Sequence, residues 1–153
     1  MSSKSAGIIL YRKRREFEVL LVHPGGPFWR NKDLGAWSIP KGEYPDEEDA
    51  ESAARREFAE ELGLEMSAPL TALGQVKQRG GKLVTAFAAE LDLDPRSIRS
   101  NTFEMEWPPR SGKRQSFPEV DRAEWFRLEE AREKINAGQR PLLDRLAQLA
   151  GGE

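Results

Sequence analysis

The chain has 153 residues, enough for a single domain (1–153) that buries roughly two thirds of the surface its unfolded form exposes. A third of the residues are charged, yet the formal net charge is only -2, so no basic face marks a stable nucleic-acid partner and no acidic tail dominates. There is no cysteine and one histidine, His23, which excludes disulfides, zinc–thiolate sites, thiol nucleophiles and a multi-histidine metal site, and suits a reducing cytoplasm.

The opening residues, MSSKSAGIILYRKRRE, hold an apolar run too short for a signal-peptide core or a bilayer span, so a soluble, unprocessed protein with no membrane partner is expected. Ala6 to Tyr11 and Phe17 to Val22 read as two strands, with the basic cluster Arg12 to Arg15 as a solvated turn between them. The glycines and prolines of His23 to Gly35 forbid regular structure and predict a loop, and Trp37 to Pro40 is a brief extended piece running into Lys41-Gly42.

From about Pro45 to Leu62 the pattern is helical, with Asp46 placed to cap the start and Gly63 to end it. Thr71 to Gln78 and Leu83 to Leu91 read as strands across a turn at Gly80-Gly81, and Asp92 to Ser116 reads as a long irregular excursion. Ala123 to Phe126 is a short strand, and Leu128 to Asn136 and Pro141 to Leu149 are closing helices. Strands, a helix, more strands and terminal helices predict the α/β class: a mixed sheet flanked by helices in an α/β/α sandwich.

The helix carries the chemistry. Residues three and four apart are neighbours on a helix, so Glu57, Glu60 and Glu61 share one face, and the apolar stripe of Ala50, Ala54, Phe58 and Leu62 overlaps its edge. Packed carboxylates repel one another, and Arg55 and Arg56 are too few to neutralise them. A divalent cation resolves the conflict, and an oxygen-only ligand set favours Mg2+ or Mn2+, which joins carboxylates to substrate phosphates. The implied reaction is phosphoryl transfer to water.

Gly42 to Leu64 reads Gly, five residues, Glu48, seven residues, Arg56-Glu57-Phe58, one residue, Glu60-Glu61, one residue, Gly63-Leu64. This resembles the Nudix box, G-x5-E-x7-R-E-U-x-E-E-x-G-U with U bulky and apolar, at every fixed position. A chance match is on the order of one in 10^8 per start position. The resemblance implies a Nudix-type fold, with Glu57, Glu60 and Glu61 as metal ligands and the Gly42 carbonyl as a further ligand. It also implies a supporting ion pair between Glu48 and Arg56.

The same resemblance implies a general base taken from the box or from a later loop. Glu119, six residues before Trp125, is the preferred later candidate, with Glu104 and Glu106 in competition. The run Trp37-Ser38-Ile39-Pro40-Lys41-Gly42 resembles the W-x-x-P-K-G lead-in of Nudix enzymes acting on dinucleoside and diphosphoinositol polyphosphates, and Lys41 would neutralise an extra phosphate. Phe28 and Trp29 are candidates to stack on a nucleobase, while Trp37 suits either stacking or a core.

Diadenosine tetraphosphate hydrolases tend to carry a tyrosine where this chain has Gly80, Gly81 and Lys82, which weakens the substrate assignment. Phe103 to Phe117 mixes aromatics with Arg110, Lys113 and Arg114, a loop suited to closing over an anion. The expected function is metal-dependent hydrolysis of a phosphoanhydride in a nucleoside diphosphate-linked compound. A dinucleoside polyphosphate comes first, and nucleoside triphosphates or RNA 5′ ends next, in a monomer or homodimer. The reading of a different class is a non-catalytic nucleotide-sensing module.

Overall fold

The computed structural model describes residues 3–150. Its strands are β1 (Lys4–Lys13), β2 (Phe17–Pro24), β3 (Lys41–Glu43), β4 (Thr71–Lys77), β5 (Leu83–Glu90), β6 (Thr102–Glu106), β7 (Arg114–Pro118) and β8 (Val120–Arg127). The helices are α1 (Ala50–Leu62), α2 (Leu128–Lys134) and α3 (Arg140–Ala150). The main sheet runs β4-β5-β1-β2-β8, with β3 also on β1.

β1 is the axis of this sheet. It lies parallel to β5 along its length, antiparallel to β2 through Tyr11 to Lys13, and antiparallel to β3 through Ser5 to Gly7. Successive strand side chains point to opposite faces, so β1 feeds two cores. Ala6, Ile8 and Leu10 pack with Ala53, Ala54, Phe58 and Leu62 of α1. Ile9 joins Trp37, Ile135 and the α3 residues Leu142, Leu143 and Leu146 on the other face. This is the expected mixed α/β sheet flanked by helices.

The helix start differs from expectation. Asp49, not Asp46, is the N-cap of α1, accepting the Ser52 backbone N–H at 2.9 Å, while Asp46 pairs with Lys4 at 2.6 Å. Residues 44–48 are drawn out of the helix, where Glu48 reaches Arg56 and its N–H closes a turn on the Pro45 carbonyl at 3.1 Å. Gly63 ends α1 as expected, with φ of 70° and its N–H on the Ala59 carbonyl.

Asp92 to Ser116 is not irregular throughout, for β6 and β7 form a hairpin with Phe103 opposite Phe117. The two rings lie 5.9 Å apart, and a Cβ at Gly26 would come within 2.9 Å of the Phe103 ring. The hairpin therefore docks by its aromatic face on the loop after β2. Its two short strands carry too few apolar residues for alternation to mark them among prolines and charges.

Phe58 is 1% exposed at the centre of the α1 core. Phe58→Ala is expected to lower unfolding free energy by about 3–5 kcal/mol, read from urea denaturation midpoints.

Candidate active site

A cleft of about 620 Å³ opens where the N-terminal end of β1, the C-terminal end of β2, strand β3, the C-terminal half of α1 and the start of β8 meet. Its lining includes Lys41, Gly42, Glu57, Glu60, Glu61 and Glu119, so the box glutamates, the lead-in lysine and the preferred later glutamate share one space.

Burying Ala54, Phe58 and Leu62 turns Glu57 and Glu61 toward β3 at the margin of the core. Glu57 sits so close to Gly42 that a Cβ there would lie 1.8 Å from its Oε1, and only glycine fits. Desolvation raises the Glu57 carboxyl above the ordinary glutamate value, against the opposing pull of Arg56. Burial pushes Glu61 further, to about 8, partly countered by Lys41 and reinforced by Glu57 and Glu119. The Lys41 amine is lowered, first by burial and then by the charge of Lys82, while Glu61, Glu43 and Glu57 hold it up.

Arg56 organises the helix face. It makes a two-pronged pair with Glu48 at 2.8 and 3.0 Å, and its other terminal nitrogen donates to Glu57 at 2.6 Å and reaches Glu60 at 3.4 Å. Among the described residues, no three acidic or histidine side chains are placed closely enough together to hold a metal ion. The acidic groups gathered in the cleft are nonetheless oxygen donors, with no cysteine or histidine in the lining, and Glu57 and Glu61 are poorly solvated carboxyls whose ionised forms a hard cation would stabilise. These residue types fit a hard divalent cation.

Backbone bonds bring Glu119 to this helix. The N–H groups of Arg99 and Asn101 donate to the Leu62 and Glu60 carbonyls at 2.8 and 3.0 Å, satisfying the last turn of α1. The Asn101 carbonyl then accepts the Glu119 N–H at 2.9 Å, and the Glu119 carbonyl accepts Gly25 N–H at 3.0 Å. A Cβ at Gly25 would lie 2.0 Å from the Pro118 carbonyl oxygen, so this contact needs glycine. Glu104 and Glu106 lie elsewhere, on the hairpin, engaged with Arg114 at 3.4 Å and the Gly112 N–H at 2.6 Å.

The aromatic candidates separate. Trp29, 40% exposed, lines the cleft. Phe28, 64% exposed, instead lies edge-on to Trp107 of the hairpin at 5.7 Å. Trp37 is 1% exposed and offers no face to a ligand: it packs edge-on to Phe126 at 5.0 Å, and its indole N–H donates to Asp33 at 2.8 Å. The stacking role considered for it gives way to core packing. Arg110, Lys113 and Arg114 do not line the cleft. His23 is buried, its ring nitrogens 2.9 Å from Asp121 and 2.7 Å from the Lys32 carbonyl, where it anchors the loop bearing Trp29.

Several lining residues escaped sequence reasoning: Ser5, Gln78, Lys82, Asn101, Asn136 and Gln139. Ser5 Oγ is buried without a hydrogen-bond partner. Lys82 follows the glycine pair and lies 3.7 Å from Glu43, and only that proximity to a turn was visible beforehand. The others come from separate segments with no shared spacing.

The NUDIX domain family profile matches residues 1–146, and the chain belongs to the Nudix family. It is a Nudix hydrolase, an enzyme of phosphorus-containing acid anhydrides. Among solved structures it is similar to a Caenorhabditis elegans Ap4A hydrolase in a binary complex, with 28% identity, a TM-score of 0.66, and coverage of 96% of this chain and 98% of that one. The NUDIX domain of Shewanella oneidensis NrtR, complexed with ADP ribose, shares the fold at 17% identity and TM-score 0.66 over 98% of this chain and 89% of that one. A MutT protein from Methanosarcina mazei does so at 20% identity and TM-score 0.61 over 97% and 95%. No curated protein matches. No helix among the described residues is long and apolar enough to cross a membrane.

Glu61 gives the site a pH signature. The folded carboxyl holds its proton up to about 8, whereas an exposed glutamate releases it near 4.5, so between these values the folded state binds more protons than the unfolded one. The stability this group contributes is full below 4.5 and is lost as pH rises through about 8. In chelator, urea midpoints of the wild type are expected to fall across that window relative to Glu61→Gln. Parallel curves for the two proteins would count against a desolvated Glu61.

Proposed function

We propose that this cleft binds a divalent cation through Glu57, Glu60 and Glu61, with the Gly42 carbonyl, and hydrolyses a phosphoanhydride bond of a dinucleoside polyphosphate. The observation that carries the reading is the gathering of those glutamates with Glu119 and two lysines, Lys41 and Lys82, in one cleft with Trp29. Four carboxylates alone would repel a polyphosphate. Two lysines beside them supply positive charge for a phosphate chain longer than the cation itself engages.

Nudix hydrolases generally use divalent metals; Mg2+ or Mn2+ bound here would polarise the bridging phosphate oxygens and acidify a water. Lys41 and Lys82 neutralise flanking phosphate charge, and Arg56, held by Glu48, restrains Glu57 and Glu60. Glu119, restrained through its backbone on both sides, accepts the proton of the attacking water as the phosphorus–oxygen bridge breaks. The new oxygen ends on one phosphate, and the departing phosphate carries away the bridging oxygen. Trp29 provides a flat, partly exposed face for a nucleobase. The similarity to an Ap4A hydrolase supports the choice of a dinucleoside polyphosphate, with nucleoside triphosphates and RNA 5′ ends as the next substrates to assay.

The test is product analysis on a panel of diphosphate-linked compounds with Mg2+, Mn2+ or chelator. Turnover is expected to require the cation and to fall by several orders of magnitude in Glu60→Gln and Glu61→Gln, with the circular dichroism of both variants unchanged. Tight nucleotide binding with no turnover of any compound would favour a sensing module instead. Glu119→Gln is expected to lower kcat by about 10²–10⁴-fold with little change in KM, and an unchanged kcat would move the base into the box.

A further inference from the structure

One part of the cleft lining has no charge. Ala36, Ser38, Ile39, Asn136, Gln139 and Gln78 form it, and its hydrogen bonds fix the direction of each amide that matters. The Ile39 backbone N–H is only a donor, and it lies 3.1 Å from Gln139 Oε1, which establishes the oxygen end of that buried side chain. Ser38 Oγ gives its one hydrogen to the Ile39 carbonyl at 2.7 Å, so it must accept from Gln139 Nε2 at 3.0 Å. The other Nε2 hydrogen goes to Gln78 Oε1 at 2.9 Å.

Both amide hydrogens of Gln139 are thereby used, and Gln78 is turned with its oxygen toward Gln139. Among the described residues, nothing accepts from Gln78 Nε2 in the hydrogen-bond network. The backbone of Gln78 is equally restrained, its N–H donating to the Lys82 carbonyl at 2.7 Å and its carbonyl accepting from Gly81 at 3.0 Å. Gly138 lets the 137–139 turn press against it, since a Cβ there would stand 3.1 Å from both Cα and Cγ of Gln78. Gln78, a residue of the cleft lining, thus holds its oxygen toward Gln139 and keeps its NH2 hydrogens for a ligand.

We propose that Gln78 is a specificity-determining residue: its amide, polarised through Gln139 by the Ile39 backbone, binds the acceptor edge of a nucleobase and favours a 6-oxopurine over adenine. A nucleobase suits this wall better than a phosphate because its own side chains are neutral and partly apolar, while the charge of the cleft is carried by the lysines and glutamates beside it. A 6-oxopurine presents two acceptors, O6 and N7, while adenine presents N7 beside a donor amine that opposes Nε2. The inference rests on the reading of the cleft as a nucleotide site.

The experiment measures binding of inosine and adenosine 5′-diphosphates, which differ at this purine position, by calorimetry with Mg2+. Wild type is expected to bind the inosine nucleotide about 2- to 10-fold more tightly, the worth of one net hydrogen bond. Gln78→Ala abolishes the difference, and Gln78→Glu, which replaces the NH2 by an oxygen, inverts it toward adenosine. Gln139→Glu accepts where Gln139 donated, so the Gln78 amide turns and the preference inverts although Gln78 itself is intact. A role for Gln78 in packing alone would not produce that inversion. Should Gln139→Glu fail to fold by circular dichroism, Gln78→Glu decides. Equal affinities in wild type, or a preference unchanged in Gln78→Glu, overturn this inference alone; binding of neither nucleotide overturns the nucleotide reading as well.

Discussion

Seating one face of α1 on β1 forces carboxylates out of water, and the rest of the site is arranged around that cost. Phe58 and Leu62 must be buried for the helix to pack, and their neighbours Glu57 and Glu61 go with them to the margin of the core. Both carboxyls are raised by desolvation, which leaves them weakly satisfied by protein alone. Arg56 offsets part of the repulsion, Gly42 leaves the space Glu57 occupies, and Lys41 faces Glu61 as a buried amine whose own charge is disfavoured. Desolvating these carboxyls costs the fold stability, which on the proposed function a bound cation would offset.

The remainder of the cleft is assembled through backbone hydrogen bonds. Free carbonyls at the end of α1 take N–H donors from Arg99 and Asn101, and Asn101 in turn holds Glu119. A requirement of helix geometry, that terminal carbonyls find partners, thus sets where a candidate general base sits. The same economy holds at His23, whose two ring nitrogens tie the Trp29 loop to Asp121 at the start of β8. The neutral wall works in this way too, since a single peptide N–H at Ile39 orders two amides in series.

Much of this was legible beforehand where the information is local. The acidic face of α1, its Gly63 end and the strands flanking the helix follow from spacing within a single segment, and the Glu48–Arg56 pair was implied by the family motif. The helix start was misplaced because Asp46 and Asp49 are chemically equivalent caps; in the fold Asp49 caps Ser52 while Asp46 pairs with Lys4, far away in sequence. The β6–β7 hairpin was hidden because its apolar face is completed by Gly26 and the loop around it.

By itself the sequence determined the acidic helix, the family motif that runs through it and the α/β class, because helical periodicity and a fixed motif act without reference to the rest of the chain. Only the tertiary structure decided that Trp37 is core and Trp29 lines the cleft, that Glu119 rather than Glu104 or Glu106 faces the glutamates, and that Lys82, Ser5 and Gln78 join them. Those assignments depend on which segments the sheet brings side by side. Burial and hydrogen-bond direction are properties of the assembled neighbours, and no spacing along the chain encodes them.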